Sequence, residues 1–312
     1  MIQNCQDALA INHHFHGTDL FITITANPNW PEVTQELLPG QTAADRPDLV
    51  VCVFHAKVAQ LLKNLKDHGV MGCTVARVWP IEFQKCGLSY MHLIVFLDAA
   101  HKLRTPEDID SLISAEFQNE QELPELYELV KKFMVHNPCG TQNPQSPCMD
   151  GNKCSKIFPK PFQDQITVSD DSYANLQRRN DGKQHMINGK EVDNCWVVPH
   201  SPWLIWKYRC HINIECISSV KAIKYIYKYV YKGHDCTTME FGTCQDEVKQ
   251  YLNACYVSAC EALWRTYHFH MHEEHPNVVH LQIHLPNQQM VCWDNWGQVA
   301  YLFPEEIVIG VF

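Results

Sequence analysis

The stretch KYIYKYVYKG, from Lys224 to Gly233, sets Tyr225, Tyr227, Tyr229 and Tyr231 among lysines. A phenol is a poor nucleophile until it ionises, and neighbouring cations favour the phenolate. Ser218 or Ser219 can cap the start of the stretch and Gly233 can end it, which predicts a helix. At about 100° per residue, Ile223, Ile226, Tyr227 and Val230 fall on one apolar face, with Tyr231 at its edge. Tyr225 and Tyr229 stand one turn apart on the opposite side, with Lys221, Lys228 and Lys232. Two phenols on a cationic face suit nucleophilic attack on a phosphate held by the lysines. A plain amphipathic helix, with its exposed tyrosines resting on lysine stems, fits the same pattern.

A second group of residues suits a metal. The spacing His136-x2-Cys139-x8-Cys148-x5-Cys154 offers four nitrogen and sulfur ligands in a loop rich in proline and glycine. That is the donor set of a tetrahedral structural Zn²⁺, and a loop with so little apolar content needs such a staple. Lys153, Lys156, Lys160, Arg178 and Arg179 follow and are expected to track a phosphate backbone, with a solvated loop as the alternative. The run HFHMHEEH gathers His268, His270, His272 and His275, and reads mainly as surface composition.

The elements that must position these residues read as α+β. DLFITITANPNW alternates Ile22 and Ile24 with Thr23 and Thr25 and then meets a turn, which predicts a strand. CTVARVWPIEF and LSYMHLIVFL predict two more strands joined by a turn at 85–87. Helices are expected from about Pro47 to Gly69, from an N-cap at Thr105, and over PELYELVKKFMVH. Residues 137–200 read as an irregular insertion, and CHINIEC as a strand that brings His211 and Asn213 to one face. On the strand LSYMHLIVFL, Tyr90 and His92 share a face, and Glu82 lies just before on the neighbouring strand. Alternate polar residues beside a carboxylate have the geometry of a divalent-metal site for phosphate chemistry.

Composition bounds the function. Of 312 residues, 46% are hydrophobic, enough for a folded core. Fifteen cysteines, an odd number, favour free thiols and metal ligands over a disulfide framework. Neither a secretory leader nor an apolar run of about eighteen residues is found, so no membrane partner is expected. The net charge of −10 argues against nucleic acid, but residues 150–235 hold 13 Lys+Arg against 9 Asp+Glu. The tyrosine stretch lies in that basic segment.

In order along the chain, LFITITANPNWPEV, IEFQKCGLSYMHLIVFL, FMVHNPCG with SPCMDGNKCSKIFPKPF, NCWVVPHSPWLIWKYRCHINIEC and IKYIYKYVYKGHD resemble the Rep nuclease part of Helitron transposases, over roughly residues 12–295. The resemblance implies a Rep/HUH-like antiparallel sheet flanked by helices and a single-stranded DNA endonuclease of the nucleus. Its Mg²⁺ or Mn²⁺ would be held by two histidines flanking a hydrophobic residue. It implies that Tyr225 and Tyr229 form 5′-phosphotyrosine intermediates in rolling-circle-type transposition. It also implies a division into an N-terminal tail (1–11), a nuclease domain (12–235, with the insertion at 137–200) and a C-terminal extension (236–312) toward a helicase.

The sequence departs from that pattern in places. The first metal histidine is replaced by Tyr90, leaving Glu82 and His92 as the firm ligands with Tyr90 as a degenerate third position. Cys86 and Cys255 stand where arginines are usual. No G-x-x-x-x-G-K-S/T loop occurs, so no nucleotide cofactor is expected. A decayed or domesticated copy that binds DNA or a partner without cutting is the rival expectation.

Overall fold

The computed structural model describes residues 2–84, 87–168, 174–217 and 257–280, and the backbone of short strands at 236–240, 251–255 and 308–310. The expected tyrosine helix, with Tyr225, Tyr229, Lys221, Lys228 and Lys232, lies outside the described residues, as does Cys86.

In chain order the helices are α1 (Ile2–His14), α2 (Pro31–Thr34), α3 (Pro47–Asp67), α4 (Pro106–Leu112), α5 (Pro124–Phe133), α6 (Pro202–Tyr208) and α7 (Ala259–Thr266). The strands are β1 (Leu20–Thr25), β2 (Thr74–Phe83), β3 (Ser89–Leu97), β4 (Met149–Asp150), β5 (Lys153–Cys154), β6 (His185–Ile187), β7 (Lys190–Val192) and β8 (Ile212–Cys216). They are followed by β9 (Cys236–Glu240), β10 (Tyr251–Cys255), β11 (His272–His275), β12 (Val278–His280) and β13 (Val308–Gly310). The domain is α+β, with an antiparallel five-stranded sheet in the order β11-β2-β3-β1-β8.

Period-two alternation gives this sheet two unlike faces. Ile22 and Ile24 of β1, Met91, Leu93 and Val95 of β3, and Ile212 and Ile214 of β8 point into the main core. There α3 lays down Val51, Phe54, Val58, Leu61 and Leu65 at helical spacing, and Trp264 of α7 is fully buried beside Phe54. On the opposite face Phe21, Val78, Ile94 and Phe96 form a smaller cluster with Ala8 and Ile11 of α1. The turn after β1 is fixed by Asn27, whose Oδ1 accepts from Asn29 N at 3.0 Å and whose Nδ2 donates to Arg209 O at 2.8 Å. Helix α4 starts on a capping box: Thr105 Oγ1 accepts from Asp108 N, and Asp108 Oδ2 accepts from Thr105 N.

Both flanks of the expected 12–235 unit contribute to the sheet. The N-terminal tail is helical and contributes fully buried Ala8 and Ile11 to the sheet. Its apolar residues trace only a weak stripe, so periodicity did not announce it. The segment after residue 235 also supplies the sheet's edge strand, since β11 pairs with β2 through His272↔Pro80 and Glu274↔Val78. The sheet therefore draws on both flanks of the expected 12–235 unit.

The insertion is loop-dominated, as expected, and its lower edge is sealed by His200. That imidazole is fully buried, its Nδ1 donates to Val198 O at 3.0 Å, and burial pushes its pKa down to about 4. Between pH 6.5 and about 4 the unfolded chain binds a proton that the folded chain refuses, so stability falls on acidification across that window. The loss expected from this group is about 3 kcal/mol. Urea titrations at stepped pH check it, and a His200→Gln variant should show a shallower acid slope.

Candidate metal and phosphate site on the sheet

The half of the second sheet face not covered by the Phe21–Phe96 cluster is polar. Strand register assembles it: Glu82 lies opposite Tyr90, His92 opposite Thr23, and Thr23 opposite Asn213. Directly opposed residues on antiparallel strands point the same way, so the side chains of four strands converge.

His92 is 7% exposed and held on three sides. Thr23 Oγ1 lies 2.8 Å from its Nδ1, Phe21 stacks on the ring at 5.1 Å, and Tyr90 meets it edge-on at 5.1 Å. In the tautomer whose Nδ1 donates to Thr23, it is Nε2 that bears the lone pair a metal ligand needs. That Nε2 is 3.9 Å from Glu82 Oε1, a gap that one divalent ion bonded to each at about 2.1 Å can span. Tyr90 uses its hydroxyl otherwise, donating to Glu82 Oε2 at 2.5 Å. Where the resemblance calls for an imidazole, the chain has a phenol that competes for the carboxylate. Thr23 and Phe21 were not singled out from the sequence, although the alternation of β1 already placed them on one face.

His211 is a structural histidine. Its Nδ1 donates to Phe133 O at 2.9 Å, and burial lowers its pKa. Asn213 donates to Glu215, whose carboxyl is shifted upward by burial, against the opposing pull of Asn213 and of Lys160 and Lys156.

A second centre lies in the insertion. The ligand atoms of His136, Cys139, Cys148 and Cys154 all lie within 4.8 Å of one another. The β4–β5 hairpin turns through Gly151, at φ +57°, and brings Cys154 Sγ to 3.6 Å from His136 Nε2. His136 is stacked between Phe158, at 4.3 Å, and Trp196, at 6.3 Å. Burial, and then the neighbouring Cys148 and Cys154, push the Cys139 thiol up to about 12. Crowded thiolates repel one another, and a divalent cation among them reverses that penalty. The cluster could hold a structural metal such as zinc, as the spacing predicts.

The two arginines of the insertion make contacts within the fold, Arg178 from a buried position and Arg179 from an exposed one. Arg178 is 5% exposed, and its Nη1 donates to Ala115 O at 3.2 Å, Asn194 O at 2.7 Å and Val197 O at 2.6 Å. Desolvation lowers its pKa to about 10, so the guanidinium remains charged at neutral pH but has no surface to offer a phosphate. Arg179 forms a forked pair with Glu116, Nε to Oε2 at 2.9 Å. Dense local charge in a sequence does not distinguish a solvent-facing arginine from one that ties up buried carbonyls.

An α+β domain with an antiparallel sheet, a carboxylate–imidazole pair on one polar half-face and a Cys₃His cluster in an insertion is the class these features define. Residues 1–95, which carry Glu82, Tyr90 and His92, match the family model described as the Helitron helicase-like domain at N-terminus. The match spans under a third of the chain and supports its recognition as Helitron-type. No curated protein matches the chain. Among the described residues, no helix is long and apolar enough to cross a membrane.

Proposed function

We propose that this chain is a Rep-type, HUH-class domain that binds single-stranded DNA and cleaves and transfers it through Tyr225 and Tyr229, with a depleted metal site. The observation that carries this reading is the 3.9 Å gap between Glu82 and His92 on the polar sheet face, inside the family-matched segment. Mg²⁺ or Mn²⁺ at this pair would polarise a phosphate oxygen. Thr23 fixes the imidazole that holds it. The phenolate oxygen of one tyrosine attacks phosphorus, an O–P bond to the 5′ side forms, and the bond to O3′ breaks. The departing oxygen takes a proton and becomes a free 3′-OH. The second tyrosine repeats the step on another strand, which permits strand transfer. Lys221, Lys228 and Lys232 suit the phosphates. Zn²⁺ at His136, Cys139, Cys148 and Cys154 suits the insertion, and the nucleus is the matching compartment.

The Tyr90–Glu82 hydrogen bond favours a second reading, in which the domain binds DNA or a partner without cutting. The two readings part on a denaturing gel. End-labelled single-stranded oligonucleotides are incubated with protein and Mn²⁺, alongside Tyr225→Phe, Tyr229→Phe and Tyr90→His. A covalent adduct in wild type that a tyrosine variant loses is the expected result. An adduct in Tyr90→His alone would mean a nuclease silenced at one ligand. No adduct in either, with DNA binding retained, sinks the nuclease reading and leaves the binding one.

A further inference from the structure

The polar half-face does not end at Glu82. Strand β11 extends it by one strand, and its register with β2 sets His272 against Pro80 and Glu274 against Val78. Val78 belongs to the Phe21–Phe96 cluster, so His272 and Glu274 point to the same side of the sheet as Glu82 and His92. Glu273 points away and meets Arg77 at 3.3 Å.

The side chains of His272 and Glu274 are largely buried, at 20% and 16% exposure, and three of their four polar atoms are not satisfied. Among the described residues, neither ring nitrogen of His272 nor Oε2 of Glu274 finds a hydrogen-bond partner, and all three atoms are buried. Glu274 Oε1 is engaged with Val278 N at 3.4 Å. Folded chains rarely leave such atoms orphaned, and an orphan in a native structure calls for an explanation such as an ion or a water. His272 Nε2 lies 3.8 Å from Glu274 Oε2, too far for a hydrogen bond and close to the separation of two ligands on one ion at about 2.1 Å. Its spacing nearly repeats the 3.9 Å of the Glu82–His92 pair. Glu82 is two positions along β2 from Pro80, diagonally across from His272, so the two pairs adjoin.

We infer that His272 and Glu274 form a divalent-metal site of their own at the sheet edge, beside the Glu82–His92 pair. One imidazole nitrogen and one carboxylate oxygen suit a first-row ion such as Mn²⁺ or Zn²⁺ better than Mg²⁺, which is bound mainly through oxygen and keeps its waters. The His268 and His270 side chains are exposed and take no part. Of the histidine-rich run, the strand selects the two residues that share an inward face, His272 and Glu274.

The site is tested by binding, without recourse to cleavage. The full chain is first given one equivalent of Zn²⁺, which the thiolates of the cysteine cluster take in preference, then titrated with Mn²⁺ while electron paramagnetic resonance follows the free ion. His272→Asn and Glu274→Gln should each weaken one equivalent of bound Mn²⁺ by about tenfold or more. A Glu82→Gln/His92→Asn double variant should keep that equivalent. Glu274→Gln is isosteric and carries the test alone should His272→Asn fail to fold. Wild-type Mn²⁺ binding in the Glu274→Gln protein overturns the inference. An equivalent that depends on His272 and Glu274, with none that depends on Glu82 and His92, would uphold it while removing the metal from the proposed nuclease site.

Discussion

Stripping the metal from the His136–Cys139–Cys148–Cys154 cluster is expected to unfold the part of the insertion around it while the five-stranded sheet persists. The insertion's own buried cluster is small, built around Cys139, Val192, Cys195 and Trp196. Two of those residues belong to the centre or stack on it: Cys139 is a ligand and Trp196 lies over His136. Structural Zn²⁺ in small modules contributes about 10–16 kcal/mol of apparent binding free energy at neutral pH, far more than such a cluster can supply. The sheet rests instead on the core between α3 and its inner face, which contains none of the four ligands. Chelation should therefore expose the stretch around the ligands, residues 137–160, to limited proteolysis and change the Trp196 emission, with the sheet fragment left intact. Identical proteolysis before and after verified metal removal would show that the cluster is not a staple. Cys148→Ser should reproduce the chelated pattern.

Arg178→Met is expected to destabilise the fold by about 3–5 kcal/mol, with little direct change in DNA affinity among molecules that remain folded. Methionine keeps much of the aliphatic stem but abandons the carbonyls of Ala115, Asn194 and Val197 together. Those carbonyls come from two stretches distant in sequence, so one guanidinium ties α4's exit to both ends of the Asn194–Trp196 turn. A phosphate-contacting arginine would behave in the opposite way, leaving stability alone and lowering the salt dependence of DNA binding. Denaturant midpoints and a salt titration on one preparation separate the two, and an unchanged midpoint with a reduced salt slope would refute the structural role.

Arg178 also marks where sequence reasoning stops. Strands β1, β2, β3 and β8 and helices α3, α4 and α5 could be read from alternation, helical spacing, Pro at the first turn and Gly or a capping box at the ends. The cysteine cluster was legible because its ligands lie within one short stretch. The relation of Glu82 to Tyr90 needed only hairpin register. Thr23 beneath His92 and His272 beside Pro80 depend on strand order between distant segments, which local pattern does not encode. The sign of Arg178's surroundings depends on three-dimensional closure of the insertion, and Tyr90's preference for Glu82 on a hydrogen bond that spacing alone could have read as a ligand set.

The strand order has a consequence for how this protein is made. Strands β1 and β2 and nearly all of β3, the middle of the sheet, fall within residues 1–95, and both rims come later, β8 at 212–216 and β11 at 272–275. A ribosome thus delivers the centre first, with bare backbone amides and carbonyls along β1 and β2 until the rims arrive. Such naked rims are templates for pairing with other chains. The family-matched stretch is in this sense a sheet without borders, and the less recognisable remainder of the chain is what makes it safe to be alone.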